Sequence, residues 1–431
     1  VEKLFKLAEH GTTVRREILA GLTTFLTMAY ILAVNPAMLG SIGNGMTPGA
    51  VFTATVVASI IATLIMGFAA NLPIALAPGM GLNAFFTYTV VFGMGYSWQL
   101  ALTAVFLEGL VFVVLSLFNV RESIVKAIPA SLKKAVAVGI GLFIALIGLK
   151  NAGIIVGDAA TLVALGDVTS GSALVGVIGL VITAALFVNK VPGAILIGIL
   201  ATTLVGIPFR VTAIPEGFAP FSLPSAPLLF HFDFSSILSL KFLTVLFTFL
   251  FVDIFDTVGT LVGVTTQAGL TDKNGDIPRV KQAFLADAVG TVAGAALGTS
   301  TVTSYIESAS GVAAGGRTGL TSLSTAFFFF LALFLSPLFL LIPGAATAPA
   351  LVMVGFLMMR SVTEINFSDP TEGIPAFMAI IMMPFAYSIA EGIVYGVLSY
   401  VVLKAVTGKF MEISLLTWIL FGVFILRFFI S

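Results

Sequence analysis

Apolar runs of membrane-spanning length recur from residue 17 to residue 406, separated by short breaks rich in charge, Gly, Pro and Asn. The runs are apolar around the whole helical circumference rather than alternating along the chain. That predicts helices in hydrocarbon, each needing about 20 residues, and not the alternating strands of a barrel. The expected spans are 17–38, 48–69, 72–92, 97–118, 128–149, 171–189, 192–206, 237–269, 281–297, 299–315, 319–342, 345–359, 374–389 and 391–406. A last apolar stretch, 413–430, is read as interfacial. The charged, amphipathic start VEKLFKLAEHGTTVRREI has no signal-peptide core and is expected to lie as a helix on the inner membrane surface.

Composition agrees with the pattern. Of 431 residues, 59% are hydrophobic and 9% charged, with a mean hydropathy of +1.15. A soluble domain of this length cannot be solvated by so little charge. The net charge of zero argues against nucleic acid as a partner, and the lack of cysteine excludes disulfide and thiolate chemistry. Charge placement tests the map. With the N-terminus inside, all 20 Lys and Arg fall on the inner side except Lys150, Arg210, Lys241 and the unassigned Arg427. That is the positive-inside bias. The Pro- and Phe-rich segment 207–236 falls outside and divides the chain into two halves of seven spans. An odd number makes the second half enter from the opposite side, as an inverted repeat requires. A short echo accompanies this: Ile128-Pro129 opens span five and Ile342-Pro343 precedes span twelve, and Val138 and Gly141 match Val352 and Gly355 at the same offset.

Spans three and ten are the irregular ones. Span three reads LPIALAPGMGLNAFFTYTVVFG, and Pro73, Pro78, Gly79 and Gly81 do not suit one continuous helix. Span ten carries a Thr/Ser cluster between Gly298 and Gly311, where Thr299, Thr301, Val302 and Thr303 favour extended backbone. Two interrupted spans in corresponding places predict a transporter site, with extended stretches leading into half-helices whose N-termini are electropositive. Asn83 and Ser304 are candidate caps for those half-helices.

Carboxylates inside such runs are costly, so they mark internal sites. Glu307, three residues after Ser304, could complete a capping box, or face a cavity and load a proton. Asp253 and Asp256 share one helix face of span eight, and two close carboxylates do not both ionise easily. Asp256 is preferred of the two. Asp287 in span nine, among Ala286, Ala288 and Gly290, is expected to brace the loosened span ten. Glu108 is a buried hydrogen-bonding candidate and Glu391 a boundary residue. Asp369 and Glu372, in NFSDPTEGIPAF, are expected in an inner loop at a helix start. Phe25, Phe85 and Phe255 could stack on a flat solute, although packing explains most of the 39 phenylalanines.

No nucleotide-binding G-x-x-x-x-G-K-[ST] occurs, and the two histidines, His10 and His231, fall outside the spans, so neither a metal centre nor histidine catalysis is expected. An intramembrane aspartyl protease would need a G-x-G-D that is absent. An acidic pocket suits solute binding better than a channel filter. The residues therefore predict a carrier of a small polar solute, not an enzyme, with the proton as coupling ion and no cofactor.

With those motifs in view, the chain resembles the AzgA-like purine permeases, a branch of the nucleobase–ascorbate (nucleobase–cation symporter-2) transporters. The resemblance runs over nearly the whole chain through GLTTFLTMAYILAVNP, APGMGLNAFF, LFVDIFDTVGTLVGV, GTSTVTSYIESASGVAAGGRTGL and FSDPTEGIPAF. It implies an all-α protein of 14 membrane segments in two inverted seven-span repeats. The core domain would comprise 17–118 and 237–342, and the gate domain 128–206 and 345–406. Residues 1–16 and 411–431 would flank these domains, and 207–236 would be an extracytoplasmic loop. It further implies a homodimer in the lipid of the plasma (inner) membrane, with a cytoplasmic N-terminus, importing adenine, guanine or hypoxanthine with protons by an elevator-like slide. Carried over by position, Asn83, Asp256 with Asp253 close by, and Glu307 would contact the purine, with Ser304, Tyr305, Phe85 and Thr27 around it. Glu307, Asp256 and Asp287 would carry or support the proton, and Asp369 would act near the gate. The wider family often has His in spans one or eight, where this chain has Thr and Asp; uracil or xanthine is thus the less expected substrate. The competing function is an anion carrier of the same fold, which calls for a basic pocket. From sequence, Arg317 alone lies near spans three and ten.

Overall fold

The computed structural model describes residues 2–117, 129–271 and 277–430. Arg121, Lys126 and Lys273 of the inner-side set, and Ile128 of the echo, lie outside the described residues. Helices dominate and follow one another in the order of the expected spans. Among the described residues, nine helices are long and apolar enough to cross a membrane. The other expected spans are the two interrupted ones, the shorter helices Ala194–Gly206 and Pro370–Phe385, and the 18-residue helix Val280–Leu297. Helix starts follow side-chain chemistry. Thr13, Thr47, Ser239, Thr318, Asp369 and Ser388 each accept a backbone N–H of the first turn that follows.

The helices sort into two bundles by what they touch. Span one is two helices, Val14–Met28 and Ile31–Gly40, which pack with span two (Pro48–Ala70) and span eleven (Gly319–Leu340). Span nine lies on spans two and four (Trp98–Leu117), and span eight (Leu240–Gln267) on span four. In the second bundle, span five (Ala130–Asn151) packs on span twelve (Gly344–Met358) and span thirteen (Pro370–Phe385). Spans six (Gly171–Val188), seven (Ala194–Gly206) and fourteen (Ile389–Val406) complete it.

Two of the echo residues, Gly141 and Gly355, meet in this second bundle. A Cβ on Gly141 would lie 2.8 Å from the Gly355 carbonyl oxygen, and a Cβ on Gly355 would collide with the Gly141 carbonyl oxygen. Each glycine therefore lets the other's backbone approach, as expected of matching positions in two repeats. Small residues permit such crossings in lipid, where helix association relies on close packing.

Segment 207–236 folds back onto the first bundle. Leu228 and Phe230 N–H donate to the Leu297 and Ala296 carbonyls at 3.0 and 2.9 Å, and Asp233 N–H to the Thr103 hydroxyl at 2.8 Å. Two local features differ from expectation. The N-terminal stretch is not a continuous surface helix: one turn, Glu2–Phe5, which ends on the buried Phe5, precedes irregular chain in which Leu7 is buried. Gly11 (φ +62°) and the Thr13 cap end that stretch before span one begins at Val14. Between spans five and six, Ile155–Asp158 (β2) and Leu162–Leu165 (β3) form an antiparallel hairpin that the apolar pattern did not announce.

Candidate functional site

The two interrupted spans meet head to head. Leu76–Pro78 (β1) pairs antiparallel with Val302–Ser304 (β4), placing Leu76 opposite Ser304, Ala77 opposite Thr303 and Pro78 opposite Val302. The Gly79 N–H extends the ladder to the Thr301 carbonyl, and the Tyr305 N–H to the Ala75 carbonyl, both at 3.0 Å. Extended backbone at membrane depth must find partners within the protein; here each broken span supplies the other's. Pro78, lacking an N–H, is tolerated at a strand end. At Gly79 a Cβ would stand 2.6 Å from Thr303 Cγ2, so the approach requires glycine. Half-helices leave the strands at Met80–Ala84, continuing as widened turns through Phe85–Gly93, and at Ser308–Ala313.

A cavity of about 1420 Å³ lies between the bundles. The first bundle contributes Thr27, Gly81, Leu82, Asp256 and Glu307, and the second contributes Val136, Ile140 and Met353. Lys133, Lys134, Lys190 and Arg360 line it from helix ends. Asp256 is exposed to this space and Glu307 half-buried beside it. The Tyr30 hydroxyl donates to Glu307 Oε1 at 2.5 Å, and the Thr27 hydroxyl lies 3.4 Å from the Glu307 carbonyl oxygen. Phe255 lies against Phe251 (4.5 Å between centroids), with Lys133 Nζ 5.6 Å over its ring. The cavity thus offers two carboxylates, an aromatic face and a rim of cations.

A family model described as "Permease family" matches residues 15–395. The chain belongs to this permease family. It is 51% identical to a permease of Methanocaldococcus jannaschii over 99% of its own length and 98% of that protein's. It is 47% identical to the guanine/hypoxanthine permease PbuG of Bacillus subtilis, over 99% of both chains. With the adenine permease AdeP of Escherichia coli the identity is 45%, over 99% of this chain and 95% of AdeP. The resemblance to the purine-permease branch is thereby borne out, and the chain is a multi-pass transport protein, not an enzyme. The permease also shares its fold with the transmembrane domain of the cyanobacterial bicarbonate transporter BicA. That match has a TM-score of 0.66 and 15% identity, over 89% of this chain and 97% of that one.

In the permease, Asp287 is fully buried. Its Oδ2 accepts from the Thr257 hydroxyl at 2.7 Å, Thr257 bonds Thr303 at 2.8 Å, and the Ser304 hydroxyl lies 3.5 Å from Asp287 Oδ1. Spans eight, nine and ten are thus tied at β4. Thr291 adds a bond to the Val302 carbonyl at 2.9 Å, and the Thr301 hydroxyl lies 3.4 Å from Glu108 Oε2. Asn83 and Ser304 cap neither half-helix. Asn83 Oδ1 takes the Ser300 hydroxyl, Ser304 belongs to the ladder, and the half-helices begin after Gly79 and Glu307 with no side-chain cap. Asn83 lies within its half-helix rather than before it, strand pairing has taken up Ser304, and the Ser304–Glu307 capping box does not form.

Other expected residues lie around the cavity rather than on it. Tyr305 is buried, its hydroxyl donating to the Pro78 carbonyl at 2.5 Å. Phe85 packs on Phe249 at 4.8 Å, and Phe25 on Phe329 at 5.2 Å. Asp253 is fully buried while its neighbour Asp256 opens to the cavity, so the residue sharing that space with Asp256 is Glu307. Asp369 caps span thirteen through Thr371 and lies 3.3 Å from Lys409. From sequence Arg317 alone was expected near spans three and ten; span five, entering from the opposite bundle, also brings Lys133 and Lys134 to the cavity.

The sequence did not single out Tyr30, Glu17 or Asn35. Glu17, fully buried at the start of span one, accepts from the Arg317 N–H (2.9 Å), the Thr318 hydroxyl (2.8 Å) and the Thr321 hydroxyl (2.6 Å). Asn35 Nδ2 joins Thr55 and Thr299 at 2.8 and 2.9 Å. A polar residue inside the motif GLTTFLTMAYILAVNP was the available signal for Tyr30 and Asn35.

Proposed function

We propose that the permease imports purine nucleobases (adenine, guanine and hypoxanthine) together with protons, the first bundle sliding as a core against the second as a gate. The observation that carries the proposal is the joint opening of Asp256 and Glu307 onto one cavity beside the paired half-helices. The relatives named as adenine and guanine/hypoxanthine permeases give the solute class. A carboxylate accepts two N–H bonds from the edge of guanine, and a protonated carboxyl both donates and accepts, which suits adenine. Phe255 offers the base a face.

Protonation at Glu307 or Asp256 favours base binding from outside. The core then carries both to the inner side, where base and proton leave. Asp287, Asn83 and the Ser304–Tyr305 backbone hold the strand crossing that supports the carboxylates. With the basic helix ends cytoplasmic by the positive-inside rule, the cavity opens inward here. The resemblance further supports a homodimer in the plasma (inner) membrane with a cytoplasmic N-terminus.

An anion carrier is the second possibility, favoured by Lys133, Lys134, Lys190 and Arg360 around the cavity. The test is uptake of labelled hypoxanthine into proteoliposomes under an imposed inward proton gradient. Adenine, guanine, uracil, sulfate and bicarbonate compete, and Glu307→Gln runs in parallel. Gradient-driven uptake blocked by purines and lost in the variant is expected. Indifference to the gradient removes the proton coupling. Uptake of bicarbonate or sulfate without purine uptake moves the function to the anion carrier.

A further inference from the structure

We infer that Tyr30 is a positioning residue for Glu307: its hydroxyl orients the carboxylate toward the cavity and sets the pH at which that carboxyl takes up a proton. The inference deepens the proposed proton-coupled transport and rests on it for its physiological meaning, but not for its test.

Span one is interrupted at Ala29–Tyr30, between Val14–Met28 and Ile31–Gly40. The interruption leaves Tyr30 at the start of the second helix, 1% exposed, with its ring 6.5 Å from that of Tyr305. The two tyrosines have different duties. The Tyr305 hydroxyl is committed to the Pro78 carbonyl, whereas the Tyr30 hydroxyl is 2.5 Å from Glu307 Oε1. Thr27, one turn earlier, approaches the Glu307 carbonyl oxygen. The break in span one therefore holds both the main chain and the side chain of residue 307.

A phenol that donates to a carboxylate forms a charge-assisted bond, about twice as strong as the neutral bond that remains once the acid is protonated. Tyr30 consequently favours ionised Glu307. The groups around Glu307 act in opposite senses. Asp256 of span eight faces the same cavity and favours protonation, while Lys133 and Lys134 of span five, with Lys190 and Arg360, line it and favour the anion. Tyr305 precedes it on span ten as a neutral phenol. Within this set, it is the Tyr30 side chain that hydrogen-bonds the carboxylate directly. Losing it shifts the balance toward the protonated acid by about one pH unit, tenfold in proton affinity.

The test is pH-difference infrared spectroscopy of the purified full-length protein in lipid. The Glu307 carboxyl band is assigned by its disappearance in Glu307→Gln. In Tyr30→Phe the titration midpoint is expected to rise by about one unit. In Tyr305→Phe it is expected to stay at the wild-type value. If Tyr30→Phe does not fold, 3,5-difluorotyrosine at position 30, a stronger donor, is expected to lower the midpoint. An unmoved midpoint in Tyr30→Phe or the fluorinated protein, or an equal rise in Tyr305→Phe, overturns the inference. The spectrum needs no substrate, so absent purine uptake would refute the proposed function and leave this result standing. Where uptake is present, its pH optimum moves with the band.

Discussion

Glu17 offers the sharpest test of how the core is held together. Its carboxylate, fully buried at the start of span one, meets the N-terminus of span eleven. The donors are the Arg317, Thr318 and Thr321 N–H groups (2.9, 3.3 and 3.1 Å) and the Thr318 and Thr321 hydroxyls (2.8 and 2.6 Å). In Glu17→Ala the hydroxyls can turn to other acceptors and the Thr321 N–H keeps the Thr318 carbonyl at 3.1 Å, but the Arg317 and Thr318 N–H groups lose their acceptor. Each buried orphan costs about 1–3 kcal/mol, partly relieved by entering water. The loss of a negative charge at the positive end of the helix adds about 0.5–1 kcal/mol. The total expected is about 3–5 kcal/mol. Glu17→Gln retains one acceptor oxygen but turns an NH₂ toward donors, and about half that loss is expected. The assay is urea or thermal unfolding in detergent followed by monodisperse recovery, with uptake in proteoliposomes beside it. Glu17→Ala should unfold well before Glu17→Gln, and both before wild type. Equal stability of all three would refute the assignment of Glu17 as the anchor between spans one and eleven.

Gly355→Ala should destabilise the second bundle by about 1–3 kcal/mol, because the added Cβ meets the Gly141 backbone carbonyl, which cannot rotate away; thermal unfolding checks this, and wild-type stability would refute the close crossing. Lys404, with a side chain 1% exposed, pairs with Glu372 at 2.8 Å and Glu412 at 2.5 Å. Lys404→Met is expected to cost about 3 kcal/mol, at the lower end for a broken buried pair because Glu412 stays half-exposed, and to speed proteolysis between residues 407 and 414. The Thr371 hydroxyl and N–H, with Lys409 beside them, lower the Asp369 carboxyl to about 2. A depressed folded-state value means a contribution present above the ordinary carboxylate range and lost as pH falls toward 2. Unfolding of Asp369→Asn compared with wild type should therefore show a difference that is constant from pH 5 to 8 and vanishes near pH 2; a difference that varies across the neutral range would contradict this.

The sequence alone determined the membrane class, the places of most spans, the two interruptions and the motifs that carry the family. These are local or periodic properties: apolar length, Pro and Gly breaks, β-branched runs, and long shared motifs. The interruptions at 76–79 and 301–304 became paired strands, because backbone that leaves a helix in lipid has few other partners. Position along the chain could not say which way a side chain points after such a break. Asn83 and Ser304 read as caps, yet Asn83 falls inside its half-helix and meets Ser300, and Ser304 joins the ladder and faces Asp287. The i, i+3 spacing of Asp253 and Asp256 put them on one helix face, and packing then buried the first and opened the second to the cavity. Contacts between residues far apart in sequence were decided only by the tertiary structure: Tyr30 with Glu307, Glu17 with span eleven, and Lys133 over Phe255. Each depends on how two helices, remote along the chain, cross. That crossing is set by the summed packing of both bundles, which no local pattern encodes.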